Sequence, residues 1–191
     1  KQIGYLQLGF ENSNRTPSFV FNSLSSFHLD TSRVTAVDLK KENLSNLYAS
    51  YELPKLLLKL YGSYYLVTNY TYYSSYTKID QASTLFNVLQ LGGEKIFRFG
   101  RKKTWNWKTW VLVQQRLGDG PVNLPLFSTR NQIGYDGNLG FKNLKISFGL
   151  EGRYFTPYEA PIYSPVIGQF AYQDTAMVKM RRPDIAAYVH F

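Results

Sequence analysis

The sequence predicts an all-β fold: an antiparallel up-and-down transmembrane β-barrel with about ten strands in this chain. Three observations predict it. Long extended segments alternate between apolar and charged side chains, their connections alternate between short and long, and tyrosines gather near the segment ends. Neither a linker nor a change in composition divides the chain, so residues 1–191 read as one barrel domain.

The composition limits the possible functions. Aromatic residues make up 17% of the 191 residues, with 16 Tyr and 13 Phe, and there is no cysteine to form a disulfide or act as a thiol nucleophile. The mean hydropathy of -0.29 is too polar for a helical membrane protein, and the sequence contains no run of the ~18–20 apolar residues that a spanning helix needs. The net charge of +9 is compatible with nucleic acid, anionic lipid or small anions as partners and selects none of them.

The strand predictions rest on stretches rich in β-branched and aromatic residues. Several run well beyond the ~5–6 residues of a typical soluble strand, and none has a convincing helical period. The predicted strands cover residues 2–10, 18–28, 44–53, 55–69, 83–99, 105–116, 129–140, 143–155, 166–173 and 185–191.

Short and long connections follow one another in order. The short ones are Pro54, 100–103 and 140–143, and the long ones cover 30–42, 70–81, 117–128 and 156–165. An outer-membrane barrel has short turns at one rim and long loops at the other. Connection lengths in a soluble Greek-key sandwich have no reason to alternate, so this order favours the barrel.

The clearest alternation lies in KNLKISFGLEGRYFTPY, residues 142–158. One side carries Leu144, Ile146, Phe148, Leu150 and Tyr154, and the other carries Lys145, Ser147, Glu151 and Arg153. A half-buried soluble sheet shows the same pattern, but glycines on the polar side and tyrosines at strand ends are more typical of a membrane barrel. Because hydrocarbon offers no hydrogen bonds to an open backbone, the apolar side would then contact lipid and the charged side would enclose water.

This alternation predicts two sets of site residues. The lumen-facing (pore) candidates are Lys55, Lys59, Lys108, Arg116, Arg130, Asp136, Lys145, Glu151 and Arg153. The aromatic girdle candidates are Tyr64, Tyr70, Tyr72, Trp105, Trp107, Tyr135 and Tyr154. Since basic side chains outnumber acidic ones in the first set, and rings of Lys or Arg favour anions, we predict a passive diffusion channel for small solutes with a mild anion preference.

Enzymatic chemistry finds little support. His28 lies near Ser25, Ser26 and Asp30, the residue types of a Ser–His–Asp arrangement. Residues so close along a strand alternate between faces and nothing supplies a nucleophile elbow, so a rim or lumen histidine is the plainer interpretation, as it is for His190. Clusters of His, Asp and Glu with metal-ligand spacing are missing. We therefore predict no enzymatic activity, no cofactor and no metal site.

Basic clusters at 98–103 and 178–183 are typical of solvated turns, and contact with lipid phosphates is the rarer alternative. Long alternating strands argue against a small nucleic-acid-binding module, so we predict no nucleic acid partner.

Five stretches resemble the putative porin family of Bacteroidota outer membranes: SNRTPSFVFNSLSSFHLD, LFNVLQLGGEKIFRFGR, TRNQIGYDGNLGFKNLKISFGLEGRY, YSPVIGQFAYQD and RRPDIAAYVHF. The resemblance implies an outer-membrane β-barrel with a transport role and no catalytic residues to carry over. It also implies that residues 1–191 are part of a longer barrel chain with further strands. The expected location is the bacterial cell outer membrane. Expected partners are outer-membrane lipid, lipopolysaccharide and other outer-membrane proteins in a complex.

Two alternative functions stay open. The first is a structural or accessory barrel subunit of an outer-membrane complex, whose lumen is plugged by side chains, since about ten strands enclose a narrow interior. The second is a soluble glycan-binding β-sandwich, in which the tyrosines would form the binding surface.

Overall fold

The computed structural model describes residues 4–21 and 39–191. Within them the chain forms twelve β-strands and two three-residue 3-10 turns, Phe19–Phe21 and Pro54–Leu56. The strands are β1 (Tyr5–Arg15), β2 (Glu42–Leu53), β3 (Leu58–Thr68), β4 (Tyr70–Tyr73), β5 (Ile79–Ala82), β6 (Phe86–Phe99), β7 (Trp105–Leu117), β8 (Phe127–Gly137), β9 (Ile146–Phe155), β10 (Ile162–Ser164), β11 (Gln169–Ala171) and β12 (Asp184–His190). The predicted all-β antiparallel class is confirmed. Among the described residues, no helix has the length and apolar character to cross a membrane.

Eight strands form one antiparallel sheet in the order β1-β2-β3-β6-β7-β8-β9-β12. Each strand pairs with the next member of this series, which is the up-and-down order that the sequence predicts. Within the described residues the sheet is open, with β1 and β12 as its edges, and a closed barrel stays a prediction. The other four strands form two small hairpins, β4–β5 and β10–β11.

Two predicted strands need correction. In segment 18–28, Phe19–Phe21 form a 3-10 turn, and residues 22–28 lie outside the described residues. In segment 166–173, only Gln169–Ala171 are extended, because Gly168 turns the chain with a φ of 64° and donates its N–H to the Ser164 carbonyl oxygen. Glycine adopts this backbone region without a Cβ penalty.

The connections separate into two sets at opposite ends of the sheet. The short ones, residues 54–57, 100–104 and 138–145, define the short-turn end. The long ones, residues 16–41, 69–85, 118–126 and 156–183, define the long-connection end. The order of lengths agrees with the sequence analysis.

The strands are strongly staggered. Tyr5 lies at the short-turn end of β1. Following the directly paired residues from Tyr5 across the sheet leads to Arg153 on β9, six strands further on. Arg153 lies seven residues from Ile146, where the short-turn end of β9 begins. With ~3.3 Å per residue and ~4.8 Å between strands, this stagger corresponds to a strand tilt of about 40°. Closed barrels have tilts of this size.

Compact packing occurs only at the long-connection end of the described structure. One cluster contains Val67, Phe86 and Val88, and the other contains Tyr73, Ile167 and Ala171. Both form where long connections fold back on the sheet or on each other. The middle of the sheet is instead a single layer whose apolar side chains are exposed.

Candidate functional site: the polar face of the large sheet

The register places almost every strand charge on one face of the large sheet, which we call the polar face. Its basic members are Arg15, Lys59, Arg98, Lys108, Arg116, Arg130 and Arg153, and its acidic members are Glu11, Glu42, Glu52, Glu94, Asp136, Glu151 and Asp184. Seven positive charges therefore balance seven negative ones. Because one wrong register step would move a whole strand's charges to the other face, this segregation over eight strands indicates that the two faces meet different media.

The opposite face, which we call the apolar face, exposes large side chains on every strand. Leu8 is 70% exposed on β1, Leu150 is 59% exposed on β9 and Ile185 is 69% exposed on β12. The charged exception among the strand residues here is Lys95. It donates from Nζ to the Leu56 carbonyl at the short-turn end, so its long side chain brings the charge to the rim of the sheet.

Aromatic side chains cluster at the short-turn end of the apolar face. Phe97 and Trp107 stack with ring centroids 4.9 Å apart. Trp105 meets Tyr135 edge-to-face at 5.5 Å. Membrane proteins place such amphipathic rings at the boundary between hydrocarbon and headgroups.

An ion-paired cluster lies on the polar face of β8 and β9. Glu151 is only 8% exposed, and its two carboxylate oxygens accept hydrogen bonds at 2.6 Å from Arg130 and Arg153. The Arg130 guanidinium also lies 5.1 Å from the centroid of the Trp110 ring. A carboxylate this buried stays charged only when it is well paired, and the two arginines provide that pairing. Trp110 breaks the apolar alternation of β7, and the register places it on the polar face, where its ring contacts Arg130.

Tyrosine side chains pack against glycines on the polar face. A Cβ at Gly92 would overlap the Tyr61 ring, and one at Gly149 would overlap the Tyr188 hydroxyl and the Ile133 carbonyl oxygen. Tyr48 covers Gly9 on β1 in the same way. The absent Cβ atoms let these rings approach the backbone, which keeps large side chains close to the wall of the sheet.

The connection between β7 and β8 folds onto the polar face at the long-connection end. Val122 and Leu124 pack against the cluster of Val67, Phe86 and Val88, and Phe86 is only 1% exposed. A small cavity of about 240 Å³ remains beside this contact, with the Arg15–Glu42 ion pair, 2.9 Å long, among its lining groups. The polar face is therefore open along most of its length and covered at one end.

The structure places seven of the nine predicted pore residues on the polar face: Lys59, Lys108, Arg116, Arg130, Asp136, Glu151 and Arg153. Lys55 lies in the 3-10 turn and Lys145 in the connection 138–145, so both belong to the short-turn end. A pore role for all nine stays a prediction.

The girdle candidates divide similarly. Trp105, Trp107 and Tyr135 lie at the short-turn end of the apolar face, Tyr154 at its long-connection end and Tyr64 in the middle of β3. Tyr70 and Tyr72 lie in β4, within a long connection rather than on the large sheet. The girdle role stays a prediction for these seven residues.

Sequence reasoning missed five acidic residues of the polar face: Glu11, Glu42, Glu52, Glu94 and Asp184. The alternation of side chains could have found Glu52 and Glu94, because both fall on the charged side of their own strands. Their position opposite Lys59 follows only from the strand register.

The two histidines lie in different parts of the chain, and the structure describes one of them. His28, Ser25, Ser26 and Asp30 lie outside the described residues. His190 lies on the polar face at the short-turn end of β12, and its ring centroid is 5.9 Å from that of Tyr188. Within the described ranges, no group of three or more His, Asp or Glu residues is arranged to hold a metal ion.

These features define a class of protein: an antiparallel β-sheet protein with one charged face and one exposed apolar face. The family model described as a putative porin matches residues 1–191. The chain therefore belongs to the putative porin family, and the resemblance seen in the sequence is confirmed; a Bacteroidota origin stays a prediction. No curated protein and no solved structure matches the chain.

Proposed function

We propose that the large sheet is the wall of an outer-membrane β-barrel and that its polar face lines a channel for passive diffusion of small polar solutes. The observation that carries this proposal is the separation of charge from exposed apolar surface across eight neighbouring strands. A face this apolar is costly in water, and a membrane removes that cost. Family membership supports a non-enzymatic channel protein in the outer membrane.

Barrel closure follows from the same physical argument. Hydrocarbon cannot satisfy the free N–H and C=O groups of an exposed sheet edge, so β1 and β12 require partners in a membrane. Further strands of a longer chain are the partners we propose. The strand tilt of about 40° suits such a barrel.

The charge balance modifies the predicted selectivity. Because the positive and negative charges of the polar face cancel, a mild anion preference has to come from another part of the channel. The three short connections carry six basic residues and no acidic ones: Lys55, Arg101, Lys102, Lys103, Lys142 and Lys145. We propose that this basic rim at the short-turn end supplies the anion preference.

The same rim suits the lipid partners. Phosphate groups of the membrane surface attract Lys and Arg within a Debye length of about 8 Å at physiological salt. Lipid and lipopolysaccharide are thus the proposed surroundings of the barrel, with other outer-membrane proteins as further partners. We propose no nucleic acid partner.

Planar-bilayer recording of the full-length protein tests the channel. We expect discrete conductance steps and, in asymmetric salt, a reversal potential on the anion side. A cation-selective potential removes the anion preference, and the absence of steps removes the channel.

A second function is favoured by the covered long-connection end. Packing of Val122 and Leu124 onto the polar face narrows the interior there, which suits an accessory barrel subunit with a plugged lumen. Recovery of the protein from detergent-solubilised outer membranes in a stable complex, with no conductance of its own, would favour this function over the channel. Stability in detergent-free buffer would instead favour the soluble glycan-binding sandwich.

A further inference from the structure

A second cavity, which we call the loop pocket, lies among the long connections. Its volume is about 410 Å³, within the roughly 300–1,000 Å³ of typical small-molecule sites. The hairpin β4–β5 contributes Tyr72 and Asp80, the β7–β8 connection contributes Asp119, and Tyr172 follows β11. Three separate connections thus converge on one space.

Side-chain contacts hold these connections in place. The Arg116 guanidinium donates to the Gly120 carbonyl at 2.6 Å and to the Val122 carbonyl at 3.3 Å. Asn123 Nδ2 donates to the Gln173 carbonyl at 2.5 Å, which ties the β7–β8 connection to the segment after β11. The pocket is therefore formed before any ligand binds, and most known small-molecule sites are preformed in this way.

Several polar groups of the loop pocket keep hydrogen-bonding capacity. Asp119, Ser83 and Thr84 are exposed, and no side-chain hydrogen bond engages them within the described ranges, so they are open to water and to a ligand. Asp80 is exposed too, and among the described residues its Oδ1 accepts the backbone N–H of Gln81 while its other oxygen stays available. An ionised carboxylate offers about four acceptor sites, and hydrogen bonds to it are stronger than neutral ones.

Aromatic rings form another wall of the loop pocket. Tyr72 and Tyr172 both line the pocket and meet edge-to-face with centroids 5.9 Å apart. Tyr70 stacks on Tyr72 at 6.4 Å but lines the smaller cavity instead. Burial, followed by the Asp80 carboxylate and Tyr172, raises the pKa of Tyr72 above its usual range. A phenol is neutral near pH 7 even without this shift, so Tyr72 offers an O–H donor beside its aromatic ring.

We propose that the loop pocket binds a neutral, polyhydroxylated solute, namely a mono- or disaccharide. The C–H face of a sugar ring suits the tyrosine wall, and adjacent hydroxyls suit the carboxylates of Asp80 and Asp119. Two carboxylates disfavour an anion, because the guanidinium of Arg116 is already engaged by loop carbonyls. This inference deepens the proposed function by naming a substrate class, and it rests on that function for the idea that solute enters from the long-connection end.

Calorimetric titration of the full-length protein in detergent with glucose, maltose, cellobiose and lactose tests the proposal, with choline chloride and glucose 6-phosphate as charged probes. We expect saturable binding of at least one uncharged sugar and none of the phosphate ester. Asp119→Asn should weaken that binding about tenfold, the size of one lost charge-assisted hydrogen bond. Tyr172→Ala should weaken it as well.

Matched controls lie nearby in the same set of connections. Asp174 is exposed like Asp119, and neither Asp174 nor Tyr76 lines the loop pocket, so Asp174→Asn and Tyr76→Ala should leave sugar affinity unchanged. Failure of every sugar to bind, binding of choline alone, or equal losses in the pocket and control variants would each overturn the proposal. Bilayer recording separates the two ideas: sugar binding without conductance removes only the channel, whereas conductance without sugar binding removes only the loop-pocket assignment.

Discussion

The two faces of the large sheet arise from the same alternation of side chains, but their side chains have different surroundings. On the polar face, Glu151 is paired with two arginines and Tyr188 lies against glycine, so these large groups have specific partners. On the apolar face, Leu8 and Leu150 are mostly exposed. Specific contacts therefore hold several groups of the polar face, whereas on the apolar face we propose that lipid stabilises the exposed side chains.

The largest effect is expected from a charge on the apolar face. Leu150→Arg should destabilise the protein in lipid vesicles by about 2–4 kcal/mol, the cost of an arginine near the bilayer midplane. Gln132→Arg places the same charge on the polar face, one strand away and beside Glu151, and should cost much less. Denaturant unfolding from vesicles measures both, and equal losses would break the distinction between the faces.

A somewhat smaller effect is expected where a tyrosine lies over glycine. Gly149→Val should cost about 1–3 kcal/mol, because its side chain overlaps the Ile133 carbonyl and Tyr188. At Gly152, on the apolar face, a Cβ would have its nearest neighbour at 4.0 Å. Gly152→Ala is therefore the control and should be tolerated in the same unfolding measurement. A harmless Gly149→Val would show that Tyr188 does not pack there.

Removal of the buried carboxylate should have an intermediate effect. Glu151→Gln leaves Arg130 and Arg153 without a counter-charge, but both are about half exposed, so the expected loss is only about 1 kcal/mol. The change also gives the polar face one net positive charge, so the reversal potential should move toward anions. A shift toward cations would contradict the placement of Glu151 in the lumen.

The smallest effect is expected at the basic rim. Replacing Arg101, Lys102 and Lys103 together by Gln should leave stability within about 0.5 kcal/mol, since these side chains are exposed. The reversal potential should nevertheless move toward zero, because half of the six rim charges are lost. An unchanged potential would mean that selectivity arises elsewhere.

Sequence patterns predicted the fold class, the segregated faces and the order of connection lengths, because a period of two and turn chemistry are local properties. Register is not local. The opposition of Glu52, Lys59 and Glu94 depends on three strands meeting in one alignment, so the balance of charge was missed and Lys55 and Lys145 were assigned to strand faces. The loop pocket also escaped prediction, because Tyr72, Asp119 and Tyr172 are brought together by connections far apart in the chain.

Spin-label accessibility in lipid vesicles tests the central claim most directly. The chain has no cysteine, so Leu150→Cys and Gln132→Cys each place one label, on the apolar and the polar face. The account predicts that the label at position 150 is reached by lipid-soluble oxygen and shielded from a water-soluble nickel reagent, with the reverse at position 132. Free access of the nickel reagent to position 150 would contradict it.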